Sequence, residues 1–96
     1  MMVLITYDVE TSSANGARRL RRVAKACEDY GMRVQNSVFE CLLDPSQFST
    51  LKHKLSQIID KESDSIRFYF MGNNWDRHIE RMGKAEQLNQ DSCLIL

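Results

Sequence analysis

No Cys-x-x-Cys pair occurs in this chain, and its three cysteines, Cys27, Cys41 and Cys93, are odd in number. That argues against a disulfide framework and against a cysteine-based zinc site. A dominant charge is missing as well, since 13 basic residues face 13 acidic ones. No global field therefore pulls the protein onto a polyanion, and any nucleic-acid reading rests on where the charges lie. The four glycines stand apart from one another, so there is no Gly-rich phosphate loop. Ser12, Ser13 and Ser37 lack the context of a nucleophile elbow. The apolar run Met1 to Tyr7 has no basic leader and no small-residue cleavage site, and it is too short to span a bilayer. These absences predict a reduced, cytoplasmic protein with no membrane partner. One pattern runs against them: Cys93-Leu94-Ile95-Leu96 matches a C-terminal prenylation signal. No polybasic stretch precedes it, and Gln87 to Ser92 carries only Asp91 as a charge, so a terminal β-strand is the better reading.

The length of 96 residues is that of one domain, expected over 1–96. A chain this short buries only about two-thirds of the surface its unfolded form exposes. With 43% hydrophobic residues the core is modest, and pairing of subunits would enlarge it. Met2 to Tyr7 is nearly continuous apolar sequence, read as a central strand that delivers Asp8 at its carboxyl end. Thr11, Ser12, Ser13 and Asn15 supply capping side chains. Ala17, Leu20, Val23, Ala24, Cys27 and Tyr30 then recur at helical steps, with Gly31 as the expected C-cap. Arg33 to Leu42 has strand composition. Asp44-Pro45-Ser46-Gln47 is a helix start with the makings of a capping box, followed by the stripe Phe48, Leu51, Leu55, Ile58 and Ile59. After a polar break at 61–65, Ile66, Phe68 and Phe70 alternate as in a strand. Gly72-Asn73-Asn74 is turn chemistry, and a weaker strand is expected within Trp75 to Met82, ending at Gly83. Pattern alone leaves two topologies open. Arg33 to Leu43 holds either one strand or a hairpin, and about ten residues is tight for a hairpin.

Asp8 is the sharpest candidate for chemistry, because ligands gather beyond the carboxyl ends of sheet strands. A capping role is the plain alternative for it. One carboxylate makes a poor metal site by itself, whereas two copies of Asp8 meeting across a dimer axis would double the ligand set. Arg18, Arg19, Arg21, Arg22 and Lys25 place five cations in eight residues along the first helix, a face able to track phosphates or simply to be solvated. Arg33, Arg67, Arg77 and Arg81 are scattered and add little. His53 and His78 fit surface positions in no ligand spacing. Cys27 lies on the apolar stripe and belongs to the core. Arg67-Phe68-Tyr69-Phe70 has a rival reading as an RNA-stacking strand, but Phe68 and Phe70 share a face with Ile66 and suit a core.

Three segments together resemble a known family. Met2 to Asp8 ends in Tyr-Asp, an Arg-rich helix runs from Arg18 to Gly31, and Arg33-Val34-Gln35-Asn36-Ser37-Val38-Phe39-Glu40 follows. The chain is similar over nearly its whole length to the small CRISPR-associated adaptation endonucleases, the second of the numbered Cas proteins. The resemblance implies an α+β, ferredoxin-like βαββαβ sandwich that forms a homodimer, its C-terminal strand extending the partner's sheet. It implies partnership with the CRISPR integrase dimer and hydrolysis of DNA or RNA with Mg2+ or Mn2+, double-stranded DNA being favoured. It maps the metal aspartate onto Asp8, with Tyr7, Arg22, Arg33 and Phe39 in supporting catalytic positions. Arg18, Arg19, Arg22 and Lys25 are the expected nucleic-acid contacts. A non-catalytic DNA-holding scaffold and a toxin-like ribonuclease of similar fold are the competing readings.

Overall fold

The computed structural model describes residues 1–71 and 78–84. In chain order the elements are β1 (Met2–Asp8), α1 (Ala14–Glu28), β2 (Gly31–Gln35), β3 (Val38–Leu42), α2 (Pro45–Ile58), β4 (Ser65–Phe70) and β5 (His78–Gly83). They form a five-stranded sheet in the order β2-β3-β1-β4-β5, with every neighbouring pair antiparallel. Through β4 this is the βαββαβ plan, and β5 adds a fifth strand beside β4. The expected Gly72–Asn74 turn and the terminal strand at Cys93 to Leu96 lie outside the described residues.

The local signals set both helix starts. Ser13 caps α1, its hydroxyl accepting from the Gly16 N–H at 3.0 Å, so the cap is Ser13 and not Asp8. Asp44 and Gln47 close a reciprocal capping box on α2, at 2.7 and 3.0 Å, with Pro45 in the first turn.

The hairpin resolves the open topology. Arg33 to Leu42 holds parts of two strands, joined by the two-residue turn Asn36-Ser37. It fits because β2 begins two residues before Arg33 and its register slips between Arg33 and Gln35. Gly31 is therefore not the helix cap: α1 ends at Glu28, with Asp29 in right-handed conformation as its C-cap. Gly31 starts β2 instead, where an added Cβ would lie 1.8 Å from the Glu40 carbonyl oxygen. What the position requires is backbone approach, not a left-handed dihedral.

Both helices cover one face of the sheet. Val3, Ile5 and Tyr7 of β1, Phe39 and Cys41 of β3, and Ile66 and Phe68 of β4 point toward Val23, Cys27, Leu51 and Leu55, and all are buried. Phe48 stands edge-on to Phe68 and Phe70, with ring centroids 5.3 and 5.0 Å away. Each such pair contributes about 0.5–1.5 kcal/mol beyond its buried area. These contacts commit Phe68 and Phe70 to the helix side, which removes the base-stacking reading of that strand.

Because side chains alternate across a strand, the opposite face carries Met2, Leu4, Thr6 and Asp8 of β1 and their cross-strand partners. No helix covers this face among the described residues. It is apolar at one end, where Met2 is opposite Leu42 and Leu42 is 64% exposed. At the other end it is polar, around Asp8, Ser65 and Arg67.

Candidate active site

Asp8 is the last residue of β1 and is exposed, while its neighbour Tyr7 turns into the core. Opposite Asp8 in the register stands Ser65. The strand end opens onto a concavity of about 480 Å³ lined by Asp8, Val9, Glu10, Ser63, Ser65, Arg67 and Lys84. Two carboxylates, two hydroxyls and two cations thus share one polar recess. Among the described residues no group of three His, Cys, Asp or Glu side chains is arranged to hold a metal ion. The donors nevertheless suit a hard cation of the magnesium class, which keeps several waters and takes one or two carboxylates plus phosphate oxygens.

Directly beneath this recess lies a buried ionic network. Asp64, fully buried, precedes β4 and receives Arg19 bidentately, Nε to Oδ2 at 2.7 Å and an outer nitrogen to Oδ1 at 3.1 Å. The Asp60 N–H donates to the same carboxylate at 3.0 Å, and the Tyr7 hydroxyl donates to its Oδ2. Burial by itself would push the Asp64 carboxyl up. Hydrogen bonds from Arg19, Asp60 and Tyr7, with the guanidinium charge, outweigh burial and hold it below the usual carboxylate range. The Tyr7 phenol is pushed up, first by burial and then by the anionic Asp64 it bonds to. Backbone bonds tie the same corner together: the Lys84 N–H donates to the Asp64 carbonyl at 2.7 Å. Gly83 closes the approach with φ 84°, and its missing side chain leaves room for that carbonyl.

The residues expected to act together occupy different layers. Arg18, Arg21, Arg22 and Lys25 are exposed on α1, on the helix side of the sheet, and none lines the Asp8 recess. Arg19 differs from them, since its guanidinium is spent on Asp64 and its side chain is 20% exposed. Arg33 lies over the buried Phe39 ring at 5.7 Å, and its Nε donates to the Asn36 carbonyl at 2.8 Å. Both belong to the hairpin, whose turn meets β1 where the Tyr7 N–H donates to the Ser37 carbonyl at 2.9 Å, and neither lines the recess. His53 is exposed on α2, and Cys27 is buried. The neighbouring Cys41 thiol, and then burial, push the Cys27 thiol up, so it is no ready nucleophile.

Asp64, Glu10 and Lys84 were not expected at the site. One signal pointed to Asp64's partner: Arg19 falls three residues after the buried Gly16 and four before the buried Val23, on the edge of the apolar stripe. A cation there needs an inward-facing anion.

The family model described as CRISPR associated protein Cas2 matches residues 1–79 of this chain. The CRISPR-associated endonuclease Cas2 of Halalkalibacterium halodurans is 53% identical over 95 residues, covering 99% of each chain. The CRISPR-associated endoribonuclease Cas2 of Nitratidesulfovibrio vulgaris is 52% identical over 96 residues, covering all of this chain and 94% of that one. The crystal structure of Streptococcus pyogenes Cas2 superposes with a TM-score of 0.75 and 62% identity, covering 79% of this chain and 92% of that one.

Proposed function

This chain belongs to the CRISPR-associated Cas2 family, and we propose that it is a divalent-metal-dependent endonuclease that works with the CRISPR integrase in spacer acquisition. The observation that carries the reading is the exposed Asp8 carboxylate at the carboxyl end of β1, in a recess that also holds Arg67 and Lys84. Relatives at about half identity are named for cleavage of nucleic acid, some as endonucleases and others as endoribonucleases. Double-stranded DNA is the favoured substrate, single-stranded RNA the second.

The working unit is a homodimer that pairs through the open sheet face. Met2 and Leu42 are exposed apolar residues at one end of that face, and covering them enlarges a small core. Pairing there brings the polar ends of two sheets to one cleft, with an Asp8 from each subunit. Asp8 of both subunits would hold Mg2+ or Mn2+, a hard cation suited to carboxylate oxygens. The chemistry such an ion would supply there is Lewis acidity toward phosphoryl oxygen and water. The remaining tasks fall to protein groups. Asp8 orients the ion, and Arg22 and Arg33 neutralise the backbone that extends beyond the recess. Tyr7 and Phe39 act from the core, Tyr7 by fastening the strand end to Asp64 and Phe39 by supporting Arg33.

The test uses purified protein with labelled duplex DNA and single-stranded RNA, each with magnesium, manganese or chelator. Cleavage is expected only with metal. Asp8→Asn is expected to lower it at least about 100-fold, since such an ion contributes several kcal/mol and each 1.36 kcal/mol is tenfold. Dimer size should not change. Full activity in Asp8→Asn overturns the assignment.

A further inference from the structure

Asp8, Ser63, Ser65 and Lys84 all line the recess, and one buried residue beneath it, Asp64, is linked to each of them. Its carboxylate accepts the Tyr7 hydroxyl, and Asp8 follows Tyr7 at the end of β1. Ser63 and Ser65 flank Asp64 in the chain. The Asp64 carbonyl accepts the Lys84 N–H at 2.7 Å. Its carboxylate also accepts the Asp60 N–H at 3.0 Å, which closes the turn that carries Ser63. A single side chain from α1 holds this carboxylate, since the Arg19 fork meets both its oxygens at 2.7 and 3.1 Å. A planar fork on two oxygens fixes the carboxylate in rotation as well as in position. Neither Arg19 nor Asp64 lines the recess. A buried ion pair adds little stability over an apolar pair of similar volume, so stability alone does not account for this one.

We infer that Arg19 and Asp64 are a positioning pair for the recess, setting Asp8 relative to Ser65 and Lys84, and that Arg19 takes no part in gripping phosphate. The pair acts from the helix layer on groups that face the other side of the sheet. Tyr7 carries its effect to Asp8, and the main chain carries it to Ser65 and Lys84. Arg19 thereby differs in task from Arg18, Arg21 and Arg22, which are neighbours of the same residue type on the same helix. The assignment deepens the nuclease reading and rests on it for what the recess does, not for how the recess is held.

The experiment compares wild type, Asp64→Asn, and Asp64→Asn combined with Arg19→Gln, a neutral pair that strands no charge in the core. Mn2+ binding without nucleic acid is read by electron paramagnetic resonance, and cleavage of labelled duplex DNA by kcat and KM. DNA binding in chelator is followed by anisotropy across a salt series, with circular dichroism as the check on folding. Asp64→Asn is expected to weaken Mn2+ binding and to lower kcat, each about 10-fold, as for other residues that orient a ligand from behind. KM should stay at the wild-type value, because nothing that touches nucleic acid has changed. The double variant should bind DNA with the same salt slope as Asp64→Asn. A slope smaller by about 1 makes Arg19 a phosphate contact and overturns the inference. Wild-type kcat and Mn2+ affinity in folded Asp64→Asn overturn it as well. Should Asp64→Asn fail to fold, Tyr7→Phe removes only the link to β1 and is read in the same way, with smaller losses expected. If wild type itself neither binds Mn2+ nor cleaves, the nuclease reading fails and amide NMR spectra decide the positioning. Shifts in Asp64→Asn that reach Asp8 and Lys84 then sustain it, and shifts that stop short of both overturn it.

Discussion

Asp8 and Asp64 lie at adjacent strand ends, with Asp8 opposite Ser65, yet their surroundings could hardly differ more. Asp8 is exposed on the uncovered face, in a recess with room for solvent and ligand. Asp64 is fully buried on the helix side, and Arg19, Tyr7 and the Asp60 amide donate to its carboxylate. Among the described residues, no hydrogen bond or ion pair ties the first carboxylate into the fold. The second is structural because the fold has met its hydrogen-bonding needs within the protein. A strand's period of two separates them: Tyr7 reaches inward to Asp64 and the next residue points outward. The buried network thereby braces the strand end from which Asp8 projects.

The contrast breaks most visibly in stability. Asp64→Ala leaves the Arg19 guanidinium and Tyr7 hydroxyl without their acceptor, and urea unfolding should register a loss of about 3–5 kcal/mol. Asp8→Ala at the same protein concentration should cost less than about 0.5 kcal/mol. Equal losses in the two variants would mean that Asp8 is structural too.

Acid sharpens the same comparison. The Asp64 carboxyl is held below its ordinary 3.8, so the unfolded chain takes up its proton first as pH falls. The stability this supplies is complete above 3.8 and is lost progressively as pH drops toward the lower folded value. Urea midpoints followed downward from pH 5 should therefore fall less steeply in Asp64→Asn than in wild type. Parallel curves would remove Asp64 as the source.

Tyr7→Phe is the mildest change to the Asp64 network. It deletes one donor to Asp64 while keeping the ring in the core, and should cost about 1–2 kcal/mol. Because the Tyr7 phenol is raised above its ordinary 10.0, its contribution is fully present below pH 10 and is lost as the solution becomes more alkaline. A wild-type-like Tyr7→Phe at neutral pH would show that Arg19 and Asp60 satisfy Asp64 without help.

Much of the architecture was legible because its causes are local. The Asp44-Pro45-Ser46-Gln47 start needed only four consecutive residues to announce a capped helix, and the structure has the reciprocal bonds. The period-two run of Ile66, Phe68 and Phe70 named its own buried face. The hairpin within Arg33 to Leu42 was ambiguous because one extended run and two short ones have the same composition. Only the pairing partner tells them apart, and β3 pairs on both sides. Gly31 was misassigned for a related reason. Its need for a missing side chain comes from Glu40 across the hairpin, not from the helix before it.

The site divides the same way. Asp8 could be found from its position after an apolar strand. Arg19 could not be told from Arg18 by residue type, because its distinguishing partner is 45 positions away. The recess is likewise assembled from the ends of β1 and β4 and the residue after β5, segments that no window of sequence contains.

From its residues in order, this chain announces an α+β fold, two capped amphipathic helices, an opening strand that ends in Asp8, and its family. Periodicity, capping and a short motif are properties of neighbours along the chain. Folding in three dimensions decided which arginine turns inward, which aspartate is buried, and which cations stand beside Asp8. Those outcomes depend on partners brought together only by strand pairing and by helices packing on one face of the sheet.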